Sequence, residues 1–475
     1  MSKRRRSLIL FILVFVGLLL VGCNTTNDDN NNNENNNQNQ VENNNQNNNN
    51  NNQNNNNQNQ VDNTEKDTDL KYLLFSKSEE KHKNLSSQEY YNFVSDVSNF
   101  STNLTEQMYL EYSAGYDRMV ISPISIYMAL AMATSVAETE AQTELANLLG
   151  IPYEDILEYT KYLYSKLNKE LYDYEDKLTH MISLNNSIWL NEVLNYKQEG
   201  LDILKNSLYT DSYAAPFTTN NKAANKAVQD YVCRNTKGLI NNEYNFNEYT
   251  LFLLINTLYL KDAWSTIGED LKFTTNTYDF KNKNNTTKTL NLLMGEYING
   301  RVQSGDGFEY FYTNTAHNLN FYFIKPTTKS LEEVYNSNNL NIILNDTNYD
   351  VFNSERNELY LTRCLFPEFD ASFDEDIVPL LKDKYGISKI FRDNVANYDK
   401  ITDENCFTGS VIHQTKLIVD KTGVEGAAVT IIANEGTSDG PSYTYKYYDF
   451  ILDQSFGFVI AKDNTILFSG VVNNL

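Results

Sequence analysis

Cysteine is nearly absent. The 475 residues hold four, at positions 23, 233, 364 and 406. Set singly and far apart, they offer no disulfide framework and no paired spacing of the kind that holds zinc. Histidine is equally scarce, and no H-E-x-x-H or phosphate-cradling P-loop occurs. His82, His180 and His317 stand outside any motif and are read as surface or core residues. No metal and no cofactor are therefore expected. Positive charge is also short. Lys and Arg number 39 against 62 Asp and Glu, a net charge of −23, which makes nucleic acid a poor partner. Proline and glycine, 7 and 19, are too few for a body divided by linkers. No internal repeat breaks it either.

Long apolar runs are missing too. Leu8 to Leu20 is the longest, at thirteen residues, against about 20 for a membrane-spanning helix. It follows the basic stretch Lys3-Arg4-Arg5-Arg6 and runs into Leu20-Val21-Gly22-Cys23. That order is a signal peptide, and small residues before a cysteine resemble a bacterial lipobox. The resemblance implies cleavage before Cys23 and a lipid on its sulfur. The alternative is a plain secretory signal with an incidental cysteine. Residues 24–60 are almost entirely Asn and Gln, which can bury nothing and should stay disordered. A flexible coil of that length spans roughly 30–35 Å, enough to lift a folded head off a membrane. The expected layout is a signal peptide over 1–22, a tether over 23–69 and one domain over 70–475. The expected location is the extracellular face of the cell membrane, through a lipid anchor at Cys23.

Within the domain, Ser86-Ser87-Gln88-Glu89 reads as a capping box. Tyr90, Phe93, Val94, Val97, Phe100, Leu104 and Met108 follow at helical spacing. Met119 to Ile121 reads as a short strand. Ser122 then caps a helix that opens on Pro123, where a missing N–H costs nothing. Another helix spans Thr139 to Leu149 and stops at Gly150. Lys222 to Val232 is helical in pattern. Leu251 to Leu260 is apolar throughout except for Asn256 and one Thr and one Tyr, the mark of a strand buried on both faces. Met181–Leu190, Leu319–Ile324, Leu359–Leu365 and Val411–Val419 also read as strands, and the chain closes on a hairpin turning at Lys462-Asp463-Asn464. Helices come mainly first and strands mainly later, which predicts an α+β domain with large sheets.

The stretch from His413 to Gly440 is the most informative. Gln414 to Asp420 alternate as a half-buried strand would. Beyond Gly423 the residues turn small, with Gly426, Ala427 and Ala428, and no charge falls between Glu425 and Glu435. Such a segment cannot anchor itself, yet it fits any slot that opens in a sheet. Gly436-Thr-Ser-Asp-Gly440 matches the hydrolase G-x-S-x-G by letter, but Pro441 and a Tyr-rich stretch follow where that elbow needs a helix. No catalytic residue is assigned.

An insertable loop after a strand resembles the reactive-centre loop of the serpins. Other segments resemble serpin landmarks in serpin order. Val120-Ile-Ser122-Pro123-Ile-Ser125-Ile-Tyr-Met-Ala-Leu130-Ala-Met resembles F-S-P-x-S-I-x-x-A-L-x-M. Asn186-Ser-Ile-Trp189, Asn225-Lys226 through Ile240, and Phe366-Pro-Glu-Phe369 resemble further family segments. Leu254-Ile-Asn256-Thr-Leu-Tyr259-Leu-Lys261-Asp-Ala-Trp264 resembles L-V-N-A-x-Y-F-K-G-x-W. So do the closing Phe456-Gly-Phe458-Val-Ile460 and Leu467-Phe-Ser-Gly470. The likeness spans roughly 86–475.

It implies a serpin fold, about nine helices around three β-sheets with an exposed reactive-centre loop. It implies a hinge over Gly423, Val424, Glu425, Gly426, Ala427 and Ala428. A buried shutter would join Ser122, Ser125, Asn256 and His413, and Trp264 would mark the breach where the loop first inserts. The implied partner is a target protease, trapped as an acyl-enzyme when the cut loop inserts as a new strand. Fourteen residues at about 3.3 Å each would carry the protease some 45–50 Å. Counting from Gly423 places the cut between Thr437 and Ser438, which suits an elastase-, subtilisin- or papain-like protease. Counting back from Phe456 points instead to Thr444-Tyr445. Lys421-Thr422, where the family prefers acid, and Val429, where it prefers Ala, are departures. They keep open a non-inhibitory serpin acting as a surface binding protein. A monomer is expected.

Overall fold

The computed structural model describes Leu10–Val16 and, from Thr68 onward, every residue except 80, 174–175, 266–270, 298–301, 347–351, 354–357, 394–396 and 426–443. Among the described residues there are nine α-helices and two hydrogen-bonded sheets, of fifteen and five strands.

Helix α1, Ser87–Tyr112, starts where the sequence places it. The Glu89 N–H donates to Ser86 Oγ at 3.3 Å, and the Ser86 N–H donates to Glu89 Oε2 at 2.8 Å. Its buried face is Phe93, Val94, Val97, Phe100, Leu104 and Met108, while Tyr90 is only half-buried. Helix α2, Pro123–Val136, is buried on every side. Such a helix needs apolar or small residues all round, and Ala129, Ala131 and Ala133 let the sheet approach it. Helix α3, Thr139–Leu149, ends on Gly150 at φ 71°, the left-handed turn that glycine permits. Helix α4 covers Asn221–Asn235.

Four strands set the site. These are β1 (Leu10–Val16), β2 (Leu178–Asn191), β3 (Thr250–Ala263) and, after β4 (Phe369–Asp376), β5 (Thr408–Val419). Strand β3 is buried nearly throughout and pairs antiparallel with β2, Asn186 facing Asn256. Strand β5 pairs antiparallel with β4. Its Gln414–Asp420 alternation does not leave the polar face in water, as half-burial would. Gln414 and Lys416 are buried, Gln414 under the segment after α4 and Lys416 beside Asp370 at 3.4 Å. Tyr244 Oη donates to Gln414 Oε1 at 2.9 Å, and Gln414 Nε2 donates to Asp374 Oδ1 at 3.0 Å.

Strands β3 and β5 do not pair with each other. In the lower part of the gap lies β1, parallel to both, with Phe15 opposite Asn256 on one side and His413 on the other. At the top lies β6, Gly423–Val424, antiparallel to both. The central sheet thus carries a gap one strand wide.

Two of the three expected sheets run together. The Arg118–Ile121 strand pairs with the closing hairpin and also touches β4 at one residue pair, Ser372 with Met119. The hairpin, Phe456–Lys462 and Thr465–Val472, turns at Asp463 and Asn464 with φ of 47° and 63°, as a tight primed turn requires. Thr444–Ile451, not among the strands read from the sequence, is strand β7. It lies parallel to Glu358–Phe366 in the five-stranded sheet. Its aromatic, β-favouring residues fit a strand, but the partner lies about 86 positions away and leaves no local trace.

Candidate functional site

The hinge is built by a tight turn. The Asp420 carboxylate accepts from the Thr422 N–H at 2.8 Å, Thr422 Oγ1 at 2.6 Å and the Gly423 N–H at 3.2 Å. The Asp420 N–H closes it on the Gly423 carbonyl at 3.1 Å. This reverses the chain from β5 into β6. Gly423 passes so close to β3 that a Cβ would lie 2.1 Å from the Asp262 carbonyl oxygen, so no other residue fits there. Val424 is buried, opposite Val419 on β5 and Asp262 on β3. Trp264 grips the same turn, donating from Nε1 to the Asp420 carbonyl at 2.8 Å. Its ring packs on Phe321 and Phe366 at 5.5 and 5.4 Å. The residue read as the breach tryptophan is thus where hinge and sheet meet.

Glu425 sits just inside, at φ 71°. Burial pushes its carboxyl up to about 7 from an ordinary 4.5. Lys261 and the Tyr259 hydroxyl oppose that shift, and Asp420 adds to it. A raised acid binds its proton more tightly in place than when released. Its contribution to seating the hinge is present below 4.5 and is lost as pH rises through about 7. The limit is on the order of 3 kcal/mol. Fluorescence of Trp264 is expected to titrate with a midpoint near pH ~7, and Glu425→Gln to remove that midpoint. The same titration in the variant would refute the assignment.

Ser122, Ser125 and His413 do come together. The Ser122 N–H donates to His413 Nε2 at 3.1 Å, and Ser122 Oγ lies 3.0 Å from Ser125 Oγ. Burial presses the imidazole down to about 3, so it stays neutral and can accept. Asn256, expected in the same cluster, is not joined to it. Its Nδ2 donates to Asn186 Oδ1 at 2.7 Å, while its Oδ1 is buried without a hydrogen-bond partner among the described residues. The reason is spacing, because β1 lies between Asn256 and His413.

Gly426, Ala427, Ala428, Thr437, Ser438 and Cys23 lie outside the described residues. The G-x-S-x-G letters lie outside the described residues too, and the first described element after them is strand β7. Cys364 and Cys406 are buried, and burial raises both thiols, Cys406 up to about 12, so neither is a reactive nucleophile.

A profile of the family described as "Serpin (serine protease inhibitor)" matches residues 95–475. The chain belongs to the serpin family. An uncharacterized serpin-like protein of Acanthamoeba polyphaga mimivirus is 22% identical over 385 residues, 78% of this chain and 88% of the relative. The native-state structure of tengpin, a thermophilic serpin, matches at TM-score 0.65 and 21% identity, covering 84% of this chain and 98% of that one. Human thyroxine-binding globulin complexed with thyroxine matches at TM-score 0.64 and 20% identity, covering 81% and 99%. At these identities the likeness to solved structures establishes the fold.

One group in this serpin was missed from the sequence. The sequence reads His180, on β2, and His317, in the turn before the Asn320–Pro326 strand, as surface or core residues outside any motif. They converge on Asp262 of β3, with His317 Nδ1 2.7 Å and His180 Nδ1 3.3 Å from its carboxylate. The available signal was Asp262 itself, which stands where the family pattern has glycine.

Proposed function

We propose that this serpin is a suicide-type inhibitor of an extracellular serine, or papain-like cysteine, endopeptidase, cut between Thr437 and Ser438. The observation that carries this is the gap between β3 and β5, with the hinge seated at its top. Val424 is opposite Asp262 and Val419. Stepping one loop residue forward for each residue back along the strands, Glu435 comes opposite Thr408, where β5 begins. Gly436 comes opposite Thr250, where β3 begins. The slot therefore runs out just before Thr437. The rival bond at Thr444-Tyr445 falls at the start of β7, a paired strand that offers a protease no extended free backbone.

The chemistry belongs to the target. Its nucleophile attacks the Thr437 carbonyl, the Ser438 amine leaves, and an ester or thioester joins the two proteins. Insertion of 425–436 then draws the acylated protease to the far end of the sheet before water can reach the bond. A small residue on the acyl side suits an elastase- or subtilisin-like pocket. The test is a denaturing gel of the full chain with elastase-, subtilisin-, papain- and trypsin-type proteases. An adduct at the summed mass, with a new amino terminus at Ser438, is the expected result. Cleavage by every protease without an adduct would overturn it in favour of the second reading, a surface binding protein. That reading draws on the unusual Lys421-Thr422 and Val429 and on the thyroxine complex of thyroxine-binding globulin.

We infer also that Cys23 carries the lipid that tethers this inhibitor to the outer face of the membrane. Cleavage before Cys23 would remove Leu10–Val16 and free the lower part of the gap. Cys23→Ser is expected to shift the protein from the membrane fraction to the soluble one. Retention of the variant in the membrane fraction would refute the anchor.

A further inference from the structure

Two of the chain's four histidines meet although 137 positions separate them. Met181 faces Lys261 across β2 and β3, so His180, one step on, is level with Asp262. The turn at 315–319 brings the second. The Ala316 N–H donates to the Ala263 carbonyl at 2.8 Å, and the His317 N–H reaches Asp262 Oδ2 at 3.3 Å. Asp262 is fully buried, His180 is 2% exposed, and the side chain of His317 is 22% exposed. The two rings tilt toward each other with centroids 4.7 Å apart. All the candidate donor atoms lie within 4.8 Å of one another.

We propose that His180, Asp262 and His317 form a binding site for a divalent transition ion of the zinc class. The donor set argues for that chemistry. Two imidazoles and one carboxylate suit Zn²⁺ or Co²⁺, whereas Mg²⁺ and Ca²⁺ take oxygen alone. Bonds of about 2.0–2.2 Å require donors about 3.3–3.5 Å apart in a tetrahedron. The observed donor spacing, from 2.7 Å to at most 4.8 Å, brackets that requirement. Nδ1 of His180 is buried and makes no hydrogen bond of good geometry among the described residues, although it points at the carboxylate. A buried polar atom without a partner is costly, and a metal ion would satisfy it. The carboxylate is already oriented, as a ligand needs to be, by Thr315 Oγ1 at 2.5 Å and by the Ala263 N–H at 3.0 Å. The partly exposed edge at His317 leaves the fourth position to water. Asp262 also faces Val424 across the sheet. Granting the inhibitor reading above, an ion here stiffens β3 at the point where the hinge inserts, and so tunes insertion.

Binding is measured without any protease, so its failure and that of the inhibitor reading are distinguishable. The full chain is titrated with Co²⁺ alone. One equivalent, with the visible absorption of four-coordinate cobalt, is expected. His317→Ala, at the exposed edge, should weaken binding at least ~10-fold, in the range known for loss of groups that support a metal. His82→Ala should leave it unchanged. Asp262→Asn serves as a second variant if circular dichroism shows that His317→Ala has not folded. Absence of the four-coordinate spectrum, or an equal spectrum in folded His317→Ala and Asp262→Asn, would overturn the site.

Discussion

Cleaving the loop is expected to raise the thermal unfolding midpoint by about 15 °C. The register fixes what the cut chain gains. Once 437 is freed, residues 425–436 can continue the pairing that Val424 has begun with Asp262 and Val419. Each added residue closes backbone bonds on one side or the other, worth ~0.5–1.5 kcal/mol net apiece. The total is on the order of ten kcal/mol, a large figure against the usual ~5–15 kcal/mol stability of a folded domain. For a body near 400 residues each kcal/mol moves the midpoint by no more than about 2 °C. Scanning fluorimetry of the intact and loop-cleaved chain reads the shift directly. An unchanged midpoint would mean that the loop does not insert, and the binding-protein reading would then stand.

The α-helical starts and the buried strand were plain in the sequence, because their causes are local. Ser86 and Glu89 form a capping box within four residues, Gly150 supplies its own left-handed turn, and Leu251 to Leu260 has nowhere to go but the interior. At Gly423 the sequence signal is also local, since a Cβ there would meet the Asp262 carbonyl oxygen, while the small residues after Glu425 lie outside the described ones. What failed depended on distant partners. Gln414 looked solvent-facing because the sequence does not show Tyr244 lying over it. Thr444–Ile451 shows no strand-pairing signal of its own because its parallel partner is remote. Asn256 was placed with His413 by family likeness, but the strand lying between them separates the two. His180 and His317 meet through the pairing of two strands and one turn, a coincidence that no spacing rule encodes.

On the inhibitor reading, Thr430→Arg is expected to turn the chain into a substrate. Continuing the hinge register, Thr430 comes opposite Asn256 on β3 and His413 on β5, over the start of α2. That position is now faced by Phe15 of β1. It is a fitting place for a hydroxyl. Asn256 Oδ1 is buried and lacks a hydrogen-bond partner among the described residues, and a threonine Oγ1 can donate to it. A guanidinium finds no counter-charge in the cluster, because His413 is buried, neutral and held near 3. Burying an unpaired charge costs ~3–5 kcal/mol or more, so insertion should stall midway with the protease undistorted. The acyl bond then hydrolyses and the loop is lost. Attack on the loop should be as fast as before, so the second-order rate of cleavage stays level. The number of inhibitor molecules consumed per protease trapped should rise at least ~100-fold, the ratio that about 3 kcal/mol commands. Thr430→Val keeps the shape without the hydroxyl and should cost only about 1 kcal/mol, leaving most of the trapping intact. Equal stoichiometry in Thr430→Arg and the parent would show that residue 430 never passes between Asn256 and His413.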